Sequence, residues 1–505
     1  MLDLPAGWLG TTLSAVTTPR VGKADPQASP DAKFIGMEQV EAQSMRLLGT
    51  VPAGSMRSSA NTFQPRDVLY GRLRAYLNKV YQPGFSGLCS GEFIVMPETE
   101  ALHGRFLKYR LNASDFVRFA SQLNTGDRPR VDWTQIQAFG IDLPPRPEQE
   151  RIADALDELV SELDAGIAAL ERARAKLKLY RASVLKAAVE GALTADWRAQ
   201  HPDAEPASEL LKRILAERRR RWEAAQLQKF KQAGKPPPKN WQAKYKGPVA
   251  LRLDDLPSLP DRWTWSTADQ LCTQVTDGEH IQPRYKESGL PMLTAKNVRD
   301  GFVDFDDKGL IGKDEFAACL RRCAPKKDDV LIVSVGATTG RAAIVAECEP
   351  FAIVRSVLLL RPIPVPRFIL RWIQSPWCQA YIQRASGSSA QAHLYIGDTK
   401  AIPVPLPPAE EQEVIAEMVD DQLSGIDHLE ADLDAKLKSA QVLRQSILRD
   451  AFAGKLVPQD PDDEPASVLL ERIAAERAQR GCEAKAAKRA PSSRRVARKR
   501  AKTSA

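Results

Sequence analysis

The chain has 505 residues, 43% hydrophobic and 27% charged, with a formal net charge of +8. That length allows three or four domains, and the balance is that of an ordinary folded protein. No apolar run reaches the roughly 18 residues that span a bilayer. The start, Met1-Leu2-Asp3-Leu4-Pro5, has no basic region followed by an apolar stretch, so neither a membrane segment nor a signal peptide is expected and the location expected is cytoplasmic.

The seven cysteines are scattered, and only Cys319 and Cys323 are close. No second pair or histidine cluster completes a zinc site, so reduced thiols are expected. The positive charge is local. Nine Lys or Arg and no acid lie between Ala484 and Ala505, which leaves the other 483 residues at about −1. Global charge is therefore weak evidence for nucleic-acid binding, and 481–505 reads as a basic disordered tail.

In chain order, residues 1–145 hold short β-like runs bounded by Gly or Pro: Asp67-Val68-Leu69-Tyr70, Phe93-Ile94-Val95-Met96 and Phe139-Gly140-Ile141-Asp142-Leu143. Gly104 to Gln122 suits one helix or two. From Pro147 the pattern changes. Proline suits a helix start, and Glu148 and Glu150 sit at the positive end of the dipole. Ile152, Leu156, Leu159, Leu163, Ile167, Leu170, Leu177 and Val184 then recur at spacings of three and four. Leu210 to Phe230 is charged and helix-compatible, so 146–230 reads as a helical region. Gly234-Lys235-Pro236-Pro237-Pro238-Lys239 breaks it, and 231–256 reads as a linker.

Residues 257–405 repeat the first order. Asp329 to Val333 and Ile353 to Leu359 are β-like, Arg367 to Arg384 is helix-like, and Ile402-Pro403-Val404 is a last strand. The helical region 406–480 follows, with a stripe of Ile415, Val419, Leu423, Ile426, Leu433, Leu437, Ala440 and Ile447.

The two halves share more than this order. Leu143-Pro144-Pro145-Arg146-Pro147-Glu148-Gln149-Glu150 returns as Leu406-Pro407-Pro408-Ala409-Glu410-Glu411-Gln412-Glu413, an offset of 412 − 149 = 263 residues. Arg181, Ser183, Leu185 and Gly191 return at the same offset as Arg444, Ser446, Leu448 and Gly454. The domain openings also match: Leu4-Pro5-Ala6-Gly7-Trp8 against Leu259-Pro260-Asp261-Arg262-Trp263. The fold expected is α+β: two diverged copies of one domain, separated by two long antiparallel coiled-coil helices in a pseudo-twofold internal repeat. Helices of about 40 residues span roughly 60 Å and make a ruler between the domains.

These features resemble the specificity (S) subunits of type I restriction–modification systems, over the whole chain except the tail. The doubled Leu-Pro-Pro-x-x-Glu-Gln helix start is specific to that architecture. Asp67 to Val80 and Cys89-Ser90-Gly91-Glu92-Phe93 look like stretches of its target-recognition domains, with Gly91 where threonine is common. Asp277-Gly278-Glu279-His280, Pro283, Tyr285, Gly289-Leu290-Pro291, Gly336 to Arg341 and Ser386 to Ser389 are similar to its second-domain stretches. The resemblance implies a non-catalytic chain that reads a two-part site on double-stranded DNA and binds two methyltransferase (M) subunits through its helices. Restriction/translocase (R) subunits join that core. No cofactor is expected on this chain; S-adenosylmethionine belongs to the methyltransferase, and ATP with Mg to the restriction subunit.

Within that frame, Arg72, Arg74, Tyr76 and Lys79 alternate around a turn after a strand and are candidate DNA contacts. Asn124, Thr125, Arg128 and Arg130 lie on a polar loop before the first domain's last strand. Ser386, Ser388, Ser389, Gln391 and His393 form its counterpart. His280, Tyr285, Lys296, Asn297, Thr338, Thr339 and Arg341 complete the set. The stripe residues Leu156, Leu159, Leu163, Leu170, Leu177, Val419, Leu423, Leu433, Leu437 and Ile447 are the expected helix and subunit interface.

Bland readings stand beside these. A solvated hairpin face carries charges like Arg72 to Lys79, and Arg218 to Arg221 suit a charged helix face. Gly336 to Arg341 lacks the Gly-Lys-Ser/Thr ending of a phosphate loop. His280 has no carboxylate partner evident in sequence. An Asn/Asp-Pro-Pro-Tyr/Phe motif, a glycine-rich cofactor loop and a Walker A motif are all missing, which argues against an enzyme. A coiled-coil adaptor with two β-rich protein-binding domains remains an alternative, as does a recognition chain serving a fused nuclease–methyltransferase.

Overall fold

In the computed structural model, the described residues are 4–123, 129–252, 256–387 and 392–489. The chain divides into two compact units, Met1–Glu171 with Asp434–Ala505, and Arg172–Leu433. Each long helix is shared between them.

In the first unit, Leu9–Thr12 pairs antiparallel with Gly140–Leu143, so the domain's first and last strands close on each other. Val68–Gly71 is the middle strand of a three-stranded sheet with Val80–Tyr81 and Phe93–Met96. All four residues of Val68–Gly71 and of Phe93–Met96 are buried, which accounts for continuous apolar runs in place of alternation. A five-stranded sheet contains the parallel pair Lys33–Ile35 and Gly87–Cys89. The helices Gly104–Arg110 and Ser114–Gln122 fill the stretch expected to be helical.

The second unit repeats this plan. Thr264–Thr267 pairs with Pro403–Leu406. Val330–Val333 lies between Ala342–Ile344 and Val357–Pro362. Leu290–Leu293 runs parallel to Ala352–Ile353, and the helices are Pro366–Gln374 and Pro376–Ala385. The run Ile353 to Leu359, expected as one strand, is two. The chain turns at Val354-Arg355-Ser356, where Val357 N donates to Val354 O, and the two pieces enter different sheets.

The helix-start motif has a local cause in each unit. Gln149 donates to the Pro144 and Ala101 carbonyls at 3.0 and 2.9 Å and accepts from His103 N at 2.8 Å. Gln412 donates to the Pro407 carbonyl at 2.9 Å and accepts from Val365 N at 3.3 Å. Glu148 accepts the Trp8 indole N–H at 3.0 Å, and Glu411 accepts that of Trp263 at 2.8 Å. The tryptophan of each opening motif is thus the partner of a glutamate in a helix-start motif. Burial raises the Glu148 carboxyl above its ordinary range, against the hydrogen bonds from Trp8 and Gln459.

The long helices are Arg146–Val189 and Ala409–Phe452, 44 residues each. Both stop at a glycine with left-handed backbone, Gly191 (φ +74°) and Gly454 (φ +68°). A side chain at Gly191 would strike Pro260, and one at Gly454 would strike Pro5. The end of each helix therefore packs on the opening of the domain from the opposite repeat. The following helices do the same: Ala207 N donates to Arg262 O, and Ala466 N to Gly7 O, at 2.8 and 2.9 Å.

In the first unit, Ile152, Leu156 and Val160 share a core cluster with Leu448 and Ala451, and Asp164 pairs with Arg444. In the second, Val184, Leu185 and Ala188 share one with Ile415, Val419, Leu423 and Ile426, and Arg181 pairs with Asp427 and with Glu430, the latter at 3.2 Å. The stripe is not uniform. Leu156, Val419 and Leu423 are buried, whereas Leu159, Leu163, Leu170, Leu177, Leu433, Leu437 and Ile447 are half-buried.

The helix Ala207–Gln232 extends the expected one by a few residues at each end. The stretch read as a bare linker is partly ordered: Trp241–Lys244 forms a 3-10 turn. The helix Ala466–Arg489 continues into the stretch read as a disordered tail.

Candidate nucleic-acid interface

In the first unit, residues 72–79 leave the strand Val68–Gly71 and make a 3-10 turn, Ala75–Leu77, before Val80–Tyr81. Arg74 and Asn78 flank it with left-handed backbones, φ +53° and +41°. A second loop lies against it: Gln43 N donates to the carbonyls of Leu77 and Asn78. Gln43 and Met45 are also left-handed. Four of the seven described non-glycine residues with positive φ thus sit on two touching loops. Each costs on the order of 1 kcal/mol or more, and such strain concentrates at functional sites.

The four residues singled out on this turn divide by environment. Arg74 is exposed and has no side-chain partner among the described residues, and Tyr76 is 49% exposed. Lys79 instead donates to the Met37 carbonyl at 2.5 Å. Arg72 pairs with Asp132 at 2.8 Å and faces Glu92 at 3.8 Å, while Arg130 holds the other Glu92 oxygen at 2.6 Å. Arg72 and Arg130 thereby tie the turn to the segment before the last strand, where Leu73 bridges Arg130. Gln43 is an exposed polar residue that sequence reasoning missed; glutamine carries no sequence signal for a left-handed backbone. Asn124, Thr125 and Arg128 lie outside the described residues.

The second unit brings the matching loops together with different side chains. Ser334 N donates to Ser356 O as Arg72 N donates to Glu92 O, and Val335 bridges His393 as Leu73 bridges Arg130. Thr338, Thr339 and Arg341 form the tight turn between Gly336 and Arg341, with Thr339 Oγ1 bonded to Gly336 O at 2.7 Å. The His393 ring lies 4.1 Å from that of Tyr395, which is 60% exposed. Arg355, on the 354–356 turn, is exposed with no side-chain partner among the described residues. It too was missed, because its run read as an uninterrupted strand.

His280 does have a carboxylate neighbour. Its Nε2 lies 2.6 Å from Asp277 and 2.9 Å from the Arg322 guanidinium, which also binds Asp277 at 2.6 Å. Lys296 pairs with Asp307 at 2.6 Å on the surface. Exposed Tyr285 packs over Gly309.

Two expected contacts lie inside the fold. Asn297 is buried, with its amide bound to the Thr294 N–H and the Asp304 and Asp307 carbonyls. Ser386 is buried and its hydroxyl donates back to Ile382 O at 2.7 Å. Both side chains have their donors committed within the fold. Ser388, Ser389 and Gln391 lie outside the described residues.

Beside the Arg341 turn is a cleft of about 740 Å³ whose walls include Arg181, Arg341 and Arg371 with Asp300, Asp420, Asp427 and Glu430. Four carboxylates against three guanidiniums make it a poor anion site. Among the described residues no cluster of His, Cys, Asp and Glu is arranged to hold a metal ion, and no helix is long and apolar enough to cross a membrane.

Two α+β domains of one plan, with unlike loops and long helices between them in sequence, define a class of two-domain modular chains. The family model for the type I restriction modification DNA specificity domain matches residues 88–172 and 263–439. The chain belongs to this family of type I specificity subunits. It is 31% identical over 353 residues to the EcoBI specificity subunit of Escherichia coli, covering 68% of this chain and 65% of that one. It is 25% identical over 427 residues to the EcoKI specificity subunit of Escherichia coli strain K12, covering 81% and 78%. The match thus spans just under two thirds of the EcoBI subunit. A chain from a structure on complex assembly and conformational transition of the type I R-M system superposes with a TM-score of 0.65 at 17% identity, over 90% of this chain and 100% of that one.

Proposed function

We propose that this chain is the non-catalytic DNA-recognition subunit of a type I restriction–modification complex, reading an asymmetric two-part site on double-stranded DNA. Residues 1–145 read one half-site and 257–405 the other. The observation that carries this is the pair of matching loops built on one scaffold but bearing unlike groups: Arg74 and Tyr76 in the first domain, His393, Tyr395 and Arg355 in the second. A common frame fixes the approach to the duplex, and the loop side chains choose the bases.

The long helices are the spacer. The contacts Asp164–Arg444 and Asp427–Arg181 are one pair written twice, since Asp164 and Asp427, like Arg181 and Arg444, differ by the repeat offset. Reciprocal pairing of this kind supports an antiparallel coiled coil with pseudo-twofold character. In this reading the half-sites lie about one helical turn apart, ~10 bp centre to centre. Leu179 and Tyr180 on one helix and their repeat mates Val442 and Leu443 on the other are all at least half exposed. Exposed apolar groups at repeated positions suit two copies of one partner, here two M subunits, with R subunits joining the core. In that assembly S-adenosylmethionine belongs to M and ATP with Mg to R.

The test is co-expression with a type I methyltransferase (M) subunit from the same genome, followed by single-molecule sequencing of genomic methylation. A two-part asymmetric motif with a fixed gap is the expected result. A soluble complex that neither methylates nor binds duplex DNA favours the adaptor reading.

A further inference from the structure

Charge in this chain is concentrated in one place besides the tail. Residues 207–252 hold thirteen Lys and Arg against three Glu, a net of +10. The first 483 residues sum to about −1, so the other 437 of them carry about −11. A solvated helix face mixes both signs, as the start of this helix does: Lys212 with Glu209 at 2.7 Å, Arg219 with Glu223 at 3.1 Å and Arg221 with Glu217 at 2.6 Å. From residue 224 to 252 there is no acid at all. Lys229, Lys231, Lys235, Lys239, Lys244 and Lys246 are exposed, and none of their side chains has a partner among the described residues.

The segment is nevertheless folded. Trp241 stacks on Trp222 at 5.9 Å and meets Phe230 edge-on at 6.1 Å, and the Tyr245 ring lies 5.3 Å from Trp222. The chain after the helix thus doubles back along it. Its far end is fastened to the second domain through buried Asp269, which accepts from Arg218 and from Val249 N, both at 3.0 Å. Six unpaired ammonium groups are therefore carried on a fixed arm.

We propose that this arm, residues 207–252, binds the phosphate backbone of duplex DNA outside the sequence read by the two domains, without sequence preference. Lysine acts as a point charge suited to phosphates, whereas base reading favours forked or planar groups. The arm's rings pack on one another, which leaves them unsuited to stacking on unpaired bases. The inference rests on the DNA-recognition reading.

The test replaces all six lysines by Gln in the full chain, co-purified with its methyltransferase. The salt dependence of binding to a mixed-sequence 40-bp duplex is then measured. Each phosphate contact contributes about 0.9 to the slope of log affinity on log salt. The expected result is a slope shallower by several units, up to about 5, with affinity at low salt lower by roughly 10- to 100-fold. The six-Lys→Arg variant should bind as the parent does, and the methylated motif should stay the same in both. An unchanged slope and affinity in the Gln variant overturns the proposal, as does loss of the methyltransferase from the complex, which would mark the arm as a protein contact. If the parent complex itself binds no duplex, the DNA-recognition reading has failed and the arm's role falls with it.

Discussion

Glu411 shows what one buried carboxylate can organise. It is fully buried and accepts from the Trp263 indole, the Thr194 hydroxyl and Arg198, at 2.8, 2.6 and 2.6 Å. Glu411→Ala removes the acceptor shared by three donors, one of them the cation Arg198, so a loss of about 3–5 kcal/mol is expected, read as a lower thermal midpoint of the full chain. Glu148 has no arginine among its hydrogen-bond partners, so Glu148→Ala should cost less. The motif carrying these glutamates was legible in the sequence, but its reason was not, because Trp8 is 140 residues from Glu148. Arg72 and Arg74 likewise look the same in sequence. Only the fold shows the first engaged with Asp132 and the second exposed, with no side-chain partner among the described residues. Arg74→Ala should therefore weaken binding to the cognate duplex and relax one position of the first half-site, by about 1–3 kcal/mol, whereas Arg72→Ala should lower thermal stability.

Acid sensitivity also belongs to single residues. Burial works against the carboxylates of Asp115 and Asp157. Arg110 outweighs it for the first, and Tyr109, Lys108 and Arg105 for the second, so both lie below their ordinary range. A carboxylate depressed on folding stabilises the protein above its unfolded value, and that stability disappears as pH falls through the folded one. The thermal midpoint should drop as pH falls below about 4. Asp157→Asn should flatten that drop while lowering stability at neutral pH.

The long helices, with their periodic stripes and proline starts, were the most legible elements because their pattern is local. The small sheets were less so. The run from Ile353 to Leu359 looks continuous, and only pairing with distant strands reveals the turn that frees Arg355. The stripe's uneven burial bears on mutation. Polar residues at Leu156 and Leu423, both buried, should destabilise by about 2–5 kcal/mol. The same change at half-buried Leu163 and Leu433 should cost less, and the quadruple variant should fail to assemble with the methyltransferase in co-purification. Inserting one helical turn into both helices adds roughly 6 Å, near the rise of two base pairs. The methylated motif should gain spacer while both half-sites stay as they were; an unaltered spacer would sink the ruler.

At the scale of the whole molecule, each domain is completed by chain from the other half of the sequence: Ala466 bonds to Gly7, and Ala207 to Arg262. Asp164 meets the repeat mate of Arg181, and Asp427 meets Arg181 itself. Contacts that exchange partners in this way are those of a homodimer. Each half of the chain thus supplies to the other what a second copy of itself would supply. Held in one chain, the two copies are free to differ, and they do: where one domain carries Arg74 and Tyr76, the other carries His393 and Tyr395.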